Sequence, residues 1–417
     1  MELISEFARG ILSNSELISL QSKIGNAYYV VRDYEKAKIF LENLVNLYKN
    51  SDRTNNRHLL MIYQSLAEVE MWLGEYANAK KLLEHILKFK KDCNCQKNDF
   101  FVQALEWLGI SHLWLGNYAN AQHFLEKALN INMQFDTPDR QIQNASIMKY
   151  IGRAYLELGY YDKAKKTLEN AMNIFDQHYG SSINIEKAIC LRSLSKTYML
   201  LGYYKEALAL QQKELYFQQQ YYKTLTHPQI SISERYLGQI LIECGKYSDA
   251  QALLEKTLEC QKSYYKNPYH VEIGSTLREL GEVYFYLQDY HKSLAVLKEA
   301  LLIQEKYYNT ETHIQQTITL SAIGKNYIKL KDFREAKELF QKVLFVQQKH
   351  YKNIYHPAIV DTLIHLVEIE QQIESPSAIG SDIEKIKFIL REINSLSKNH
   401  VLFQRIKILD DNKGNKK

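Results

Sequence analysis

Four histidines stand 43 residues apart: His227, His270, His313 and His356, within QQQYYKTLTHP, QKSYYKNPYH, QEKYYNTETH and QQKHYKNIYHP. Tyr179, Tyr222, Tyr265, Tyr308 and Tyr351 keep the same spacing. Imidazoles in a row could bind a metal or relay protons. Geometry argues against both. Packed helices lie about 8–10 Å apart, whereas zinc ligands sit about 2 Å from one ion, so successive rungs cannot share a site. The reading that fits is a helix start, because His227-Pro228 and His356-Pro357 put proline where a missing N–H costs nothing. The tyrosines at the preceding helix ends are expected to pack. Cys93 and Cys95, in KKDCNCQKND, make at most half a zinc site, with no second pair at ligand spacing. No phosphate loop, zinc-protease helix or nucleophile elbow occurs. The expectation is a chain without catalytic residues, metal or cofactor.

Those rungs imply a repeating scaffold. IGRAYLELGYYDKAKKTLENAMNIF (151–175) recurs as LSKTYMLLGYYKEALALQQKELYF (194–217), LGQILIECGKYSDAQALLEKTLECQ (237–261) and LGEVYFYLQDYHKSLAVLKEALLIQ (280–304). Further copies begin at 24, 66, 108 and 323, making eight units with starts at 18, 60, 102, 145, 188, 231, 274 and 317, spaced 42 or 43 residues. Apolar residues recur every three or four positions, which means helix. Each unit holds two helices. The first ends near Gly74, Gly116, Gly159, Gly202 or Gly245, since glycine tolerates the left-handed conformation that stops a helix. One position in each helix stays small (Gly109 and Ala121, Gly281 and Ser293), so the pair can approach closely. An aromatic at a third position, such as Tyr34, Tyr76, Tyr161 or Tyr247, is expected to fill the wedge between units.

Composition agrees. The chain has 417 residues, 46% hydrophobic and 24% charged, with only 16 glycines and 5 prolines, which suits long helices joined by short turns. The 5 scattered cysteines read as free thiols of a reducing compartment, hence a cytoplasmic expectation, with delivery into a host cell left open. MELISEFARGILSNSEL has no basic stretch followed by an apolar core, so no secretory leader is expected, and no apolar run is long enough to span a membrane.

The small, glycine and aromatic positions over residues 18 to 347 resemble the tetratricopeptide repeat, W-x-x-L-G-x-x-Y followed by A-x-x-x-F. That repeat has a usual period of about 34, and the longer unit here resembles kinesin-light-chain repeats. The resemblance implies an all-α fold, a right-handed α-solenoid of helix-turn-helix units with first helices on the concave side. Only 17 residues precede the first unit, without the heptad coiled coil of kinesin light chains, so a motor subunit is not expected. Residues 1–17 are expected as a partial helix, 18–359 as eight repeats, 360–397 as a degenerate ninth repeat with a capping helix, and 398–417 as a tail.

One helical face places the second, fifth, ninth and twelfth positions of each unit on the concave wall. Lys149, Arg153, Arg192, Lys196, Arg235, Arg278 and Lys325 would then form a basic stripe, flanked by Tyr150, Met199, Tyr236 and Phe285. The early repeats offer Glu68, Met71, Glu106, Trp107 and Leu113, with Trp72 and Trp114 at the margin. Arginine grips carboxylates with two bonds, and kinesin-light-chain-like arrays bind acidic, aromatic segments. The expectation is a non-catalytic protein-interaction scaffold, monomeric, binding an acidic or amphipathic peptide at Lys149, Tyr150, Arg153, Trp107, Arg192, Lys196, Arg235, Tyr236, Arg278 and Lys325. Reversing Arg192, Arg235 and Arg278 to Glu should then abolish binding without unfolding the array. Glu243, Glu279 and Glu282 would dilute the stripe, a solvated wall being the plainer reading. A peptide-sensing regulator is the first alternative, although such proteins usually carry an output domain before their repeats. An RNA-binding solenoid is the second. A net charge of only +5 and the acidic interruptions argue against nucleic acid.

Overall fold

The computed structural model describes residues 20, 23–25, 27–49, 56–89, 99–134, 137–351, 356–373, 379–393 and 401–414. Every regular element among them is an α-helix. After helical residues at 23–25 and 27–30 come α1 (Tyr34–Lys49), α2 (Asn56–Trp72), α3 (Tyr76–Phe89), α4 (Asp99–Trp114), α5 (Tyr118–Asn132), α6 (Pro138–Glu157) and α7 (Tyr161–Tyr179). They continue as α8 (Ile185–Leu200), α9 (Tyr204–Tyr222), α10 (Pro228–Glu243), α11 (Tyr247–Tyr264), α12 (Val271–Tyr286), α13 (Tyr290–Tyr308), α14 (Gln316–Leu330) and α15 (Phe333–Tyr351). The last three are α16 (Pro357–Ile373), α17 (Ile379–Glu392) and α18 (Val401–Gly414). The first helices begin a few residues before the expected unit starts. The proposed partial helix at 1–17 and the Cys93/Cys95 loop lie outside the described residues.

The chain divides into two compact units, Met1–Ala154 and Tyr155–Lys417. In both, consecutive helices pack antiparallel as an α-solenoid, and first helices of neighbouring repeats also touch one another (α2 with α4; α8 with α10, α10 with α12, α12 with α14). The first helices therefore line the inner wall.

The sequence signals act as local chemistry predicts. Gly74, Gly116, Gly159, Gly202 and Gly245 end first helices at φ between 73° and 83°. Where a repeat lacks that glycine, Arg32, Gln288 and Lys331 adopt φ of 61°, 65° and 67° instead, a conformation costing an L-residue about 1–2 kcal/mol. The small positions permit close approach. A Cβ on Gly281 would lie 2.5 Å from Leu297 Cγ, and one on Gly109 2.5 Å from Leu125 Cγ. Where serine replaces the small residue its hydroxyl crosses the pair: Ser195 donates to the Ala207 carbonyl at 2.9 Å and Ser293 to that of Gly281 at 2.7 Å.

In the second unit the chain's end returns to that unit's beginning. His356 Nε2 lies 3.2 Å from the Glu157 carbonyl, and a Cβ on Gly159 would come within 2.6 Å of Pro357 Cδ. Tyr161 and Leu201 join one buried cluster with Val360 and Ile364 of α16, Ile383 and Leu390 of α17, and Leu402, Ile406 and Leu409 of α18. The stretch expected as a tail thus carries a packed helix through Gly414, because Leu402, Ile406 and Leu409 fall on one helical face.

Candidate functional site: the inner wall

The histidine ladder is a set of helix caps. His227, His270 and His356 precede α10, α12 and α16, and their Nδ1 atoms accept the backbone N–H two residues on, from Gln229, Glu272 and Ala358 at 3.2, 3.3 and 3.2 Å. His313 does the same for Gln315 at 3.3 Å. An imidazole here does what Ser or Asn does at an N-cap. Each ring stacks on a tyrosine at the end of the previous helix or, for Tyr265, just beyond it: Tyr222–His227, Tyr265–His270 and Tyr351–His356 at 3.5 Å between centroids and Tyr308–His313 at 3.6 Å. The pair locks the turn between repeats. Capping needs an unprotonated Nδ1, and burial pushes all four imidazoles below the usual histidine range, His356 to about 4.

The basic stripe of the second unit consists largely of paired charges. Arg192 donates to Glu214 Oε1 from Nε at 3.0 Å and Nη2 at 2.7 Å, and Glu214 is wholly buried. Lys196 meets Glu157 at 2.9 Å, and Arg235 meets Glu272 at 3.3 Å and Glu279 at 3.8 Å. Arg278 holds Glu279, which has no exposed surface, while Arg235 and Arg278 are themselves only 7% exposed. Arg235 also covers the Tyr236 ring at 4.6 Å. Lys325 differs. No carboxylate lies within ion-pair distance among the described residues, yet it is within electrostatic reach of Glu243, Glu282 and Asp361. Met199 is buried; Phe285 is half-buried beside Glu282.

A buried polar ladder accompanies these pairs. Gln218, Gln261, Gln304 and Gln347 stand 43 residues apart and are all buried. Gln304 and Gln347 accept from Thr319 and Thr362 at 2.9 and 2.8 Å, and Gln218 donates to Glu214 at 3.0 Å. The repeated glutamine at the head of each QQK-like stretch was the available signal. Sequence reasoning missed it because glutamine reads as a surface residue.

The first unit places Lys149, Tyr150, Arg153 and Trp107 on the same helical faces. Lys149 is 1% exposed and lies over the Tyr150 ring at 4.4 Å. Arg153 covers the Trp114 ring at 4.2 Å. Trp114 stacks on Tyr76 and Trp72 on Tyr34, at 5.6 and 5.8 Å and nearly parallel. These are wedge aromatics of one repeat meeting the first helix of the next, as Tyr247 meets Tyr286 at 5.0 Å in the second unit. Both tryptophans nevertheless stay open, Trp72 57% and Trp114 46% exposed, whereas Trp107 is half-buried. Glu68 accepts from the Tyr29 hydroxyl at 2.6 Å. Met71 and Leu113 are buried, and Glu106 is half-buried.

Among the described residues no group of three His, Cys, Asp or Glu has metal-holding geometry. No helix among them is long and apolar enough to cross a membrane.

The tetratricopeptide repeat family profile matches residues 101–177 and 272–349. Among solved structures, this chain is similar to a Rap protein complexed with Competence and Sporulation Factor: 11% identity, 88% of this chain and 99% of that one, TM-score 0.57. It is similar to the apo quorum sensor NprR from B. thuringiensis: 13% identity, 91% and 99% covered, TM-score 0.55. It also resembles aspartyl phosphate phosphatase F from Bacillus subtilis: 14% identity, 91% and 96% covered, TM-score 0.51. At these identities the likeness is one of fold. No curated protein matches by sequence.

Proposed function

Because the chain is a tetratricopeptide repeat protein, we propose that it is a non-catalytic interaction module, holding an extended segment of a partner protein along its inner wall. The observation that carries this reading is the Arg153–Trp114 pair. A guanidinium sits over a half-open indole, and no carboxylate lies within ion-pair distance of it among the described residues. Such a pair can take a carboxylate on the arginine and an aromatic or aliphatic group on the ring. An acidic segment with large side chains is therefore the preferred ligand of the first unit, with Lys149, Tyr150 and Trp107 beside it. In the second unit Arg192, Lys196, Arg235 and Arg278 spend their charge on the protein's own carboxylates, so they and Tyr236 would shape the wall more than attract acid. The free thiols of Cys190, Cys244 and Cys260 fit a cytoplasmic setting.

The test is capture from lysate by wild type, Arg153→Glu and Trp114→Ala, with captured segments identified and resynthesised. A segment rich in Asp, Glu and aromatics, bound by wild type and lost in both variants at unchanged melting temperature, supports the reading. Equal capture by all three overturns it for the first unit.

A second reading, a peptide-sensing regulator, draws on the packing of α16–α18 against Tyr161 and Leu201 of the second unit. It also draws on the Rap protein of similar fold complexed with Competence and Sporulation Factor. Saturable binding of a short peptide by the isolated full chain would favour it. The internally neutralised wall argues against RNA.

A further inference from the structure

The turns that end the first helices form an edge of each unit, and the chain covers one stretch of that edge itself. In the second unit Tyr161 and Leu201 join the buried cluster of α16–α18, and Leu200 packs against it. Tyr161 opens the second helix of one repeat, while Leu200 and Leu201 end the first helix of the next. The cover consists of aliphatic helix faces. The first of them, on α16, presents Val360, Ile364 and Val367 at helical spacing. That helix also carries Asp361, Glu368 and Glu370 and has no lysine or arginine.

The same places are open in the first unit. Tyr34 with Trp72 and Leu73, and Tyr76 with Trp114 and Leu115, repeat the arrangement of Tyr161 with Leu200 and Leu201. Val30 and Val31 hold the two helix-end places of the repeat before. Val30 is 76% exposed, Val31 69% and Leu115 36%, against 6% for Leu201. The tryptophans lie nearly parallel to their tyrosines, which occupies one face of each indole and leaves the rest of the ring open. An exposed apolar run of this kind marks an interaction site. Further along the second unit Glu243, Tyr286 and Lys329 hold the tryptophan's place, so charge interrupts the edge there.

Cations flank the run. Arg32 follows Val31 in the turn and Arg153 lies over Trp114, and neither has a carboxylate within ion-pair distance among the described residues. Lys36 and Lys38, by contrast, are paired with Asp33 and Glu75. We propose that this edge of the first unit is a docking surface for an acidic amphipathic α-helix of a partner protein. Its aliphatic face would lie on Val31, Trp72 and Leu115, and its carboxylates would meet Arg32 and Arg153. The same edge of a second copy would set cations against cations, so charge favours a different, acidic partner. The surface borders the Arg153–Trp114 pair of the module reading, but Val31, Arg32 and Leu115 have no part in that pair.

The probe is the covering helix of the second unit: residues 356–373 as a blocked peptide, held helical by a side-chain crosslink on its polar face. The chain's 3 tryptophans, Trp72, Trp107 and Trp114, all belong to the first unit and the probe has none, so tryptophan emission reports this unit alone. Titrating the full chain should give a saturable blue shift with reduced acrylamide quenching. Val31→Asp and Leu115→Asp should each weaken the probe at least about tenfold, because each would put a charge under an aliphatic face. Arg32→Glu should weaken it about threefold or more. Thermal melting checks that these variants fold, and Ile364→Asp within the probe, which needs no variant of the protein, should abolish binding. No saturable shift overturns the proposal, as does unchanged affinity in all three variants. Equal binding of an uncrosslinked probe carrying Leu363→Pro means that an extended segment is taken and overturns the helix. A blue shift that grows with protein concentration alone means that a second copy covers the edge and overturns the partner helix. Capture of an acidic segment by Leu115→Asp is measured beside these titrations. Capture retained with the helix lost, or the reverse, shows that the edge and the module reading stand or fall separately.

Discussion

Arg192→Met tests whether the basic stripe is a ligand site or a structural strut. Glu214 has no exposed surface, and its Oε1 takes both Arg192 bonds as well as Ser233 Oγ at 2.9 Å and Gln218 Nε2 at 3.0 Å. Gln211 supplies Oε2 at 2.8 Å. Removing the arginine leaves a buried carboxylate with three neutral donors and no counter-charge. Breaking one side of a buried pair costs about 3–5 kcal/mol, and the surviving donors place the expected loss near the low end, about 3 kcal/mol. Glu214→Gln should cost less, about 1–2 kcal/mol, because Arg192 keeps Gln229 and Ser233 as acceptors and some access to water. Arg192→Met/Glu214→Gln should recover to within about 1 kcal/mol of wild type, since it removes both charges. Repeat arrays can unfold in pieces, so the assay is native-state hydrogen exchange of α9 and α10 amides beside a urea transition. An opening free energy in Arg192→Met within about 0.5 kcal/mol of wild type, or a double variant weaker than the single, would refute the strut. The same logic revises the expected triple reversal. Glu at 235 and 278 would face the buried Glu279, so that variant should unfold part of the second unit and cannot report on binding.

Acid should loosen the second unit through its caps. The four ladder imidazoles have pKa values below the unfolded value of about 6.5, so their stabilisation is complete above that pH and is lost as pH falls, for His356 between about 6.5 and about 4. His356→Asn, which can cap without titrating, should flatten the pH dependence of the melting temperature over that window; an unchanged slope would exclude the cap. Lys331→Gly relieves a left-handed lysine and should add about 0.5–1 kcal/mol, read by urea unfolding, whereas Gly245→Ala at φ 73° should lose a similar amount. Gly281→Val should cost several kcal/mol, because its Cβ alone would press on the fully buried Leu297; an undiminished melting temperature would contradict that packing.

What the sequence disclosed and what it hid follow from one distinction. Periodic features recur at a fixed offset, and whatever recurs can be read without knowing the fold. The glycine turns, the small-to-small contact between paired helices and the His-Pro helix starts are all of this kind, and each reduces to one residue meeting its local backbone. Lys331 and Gln288 were visible too, as departures from a glycine column. Charge is different. Lys149, Arg192, Arg235 and Arg278 recur as a basic column, but a column of arginines has the same appearance whether its guanidiniums face water or Glu214 and Glu279. Those partners lie 22 residues away for Arg192 and one residue away for Arg278, so no single offset announces them. The decisive signal was the burial of the acid, and it was partly encoded. Gln211, Glu214 and Gln218 share one face of α9 at helical spacing, and at the first two of these places α7 puts Leu168 and Ala171 and α13 puts Leu297 and Ala300. A polar stripe on an inward face demands partners on the facing helix, and Arg192 and Ser233 are the residues there to supply them.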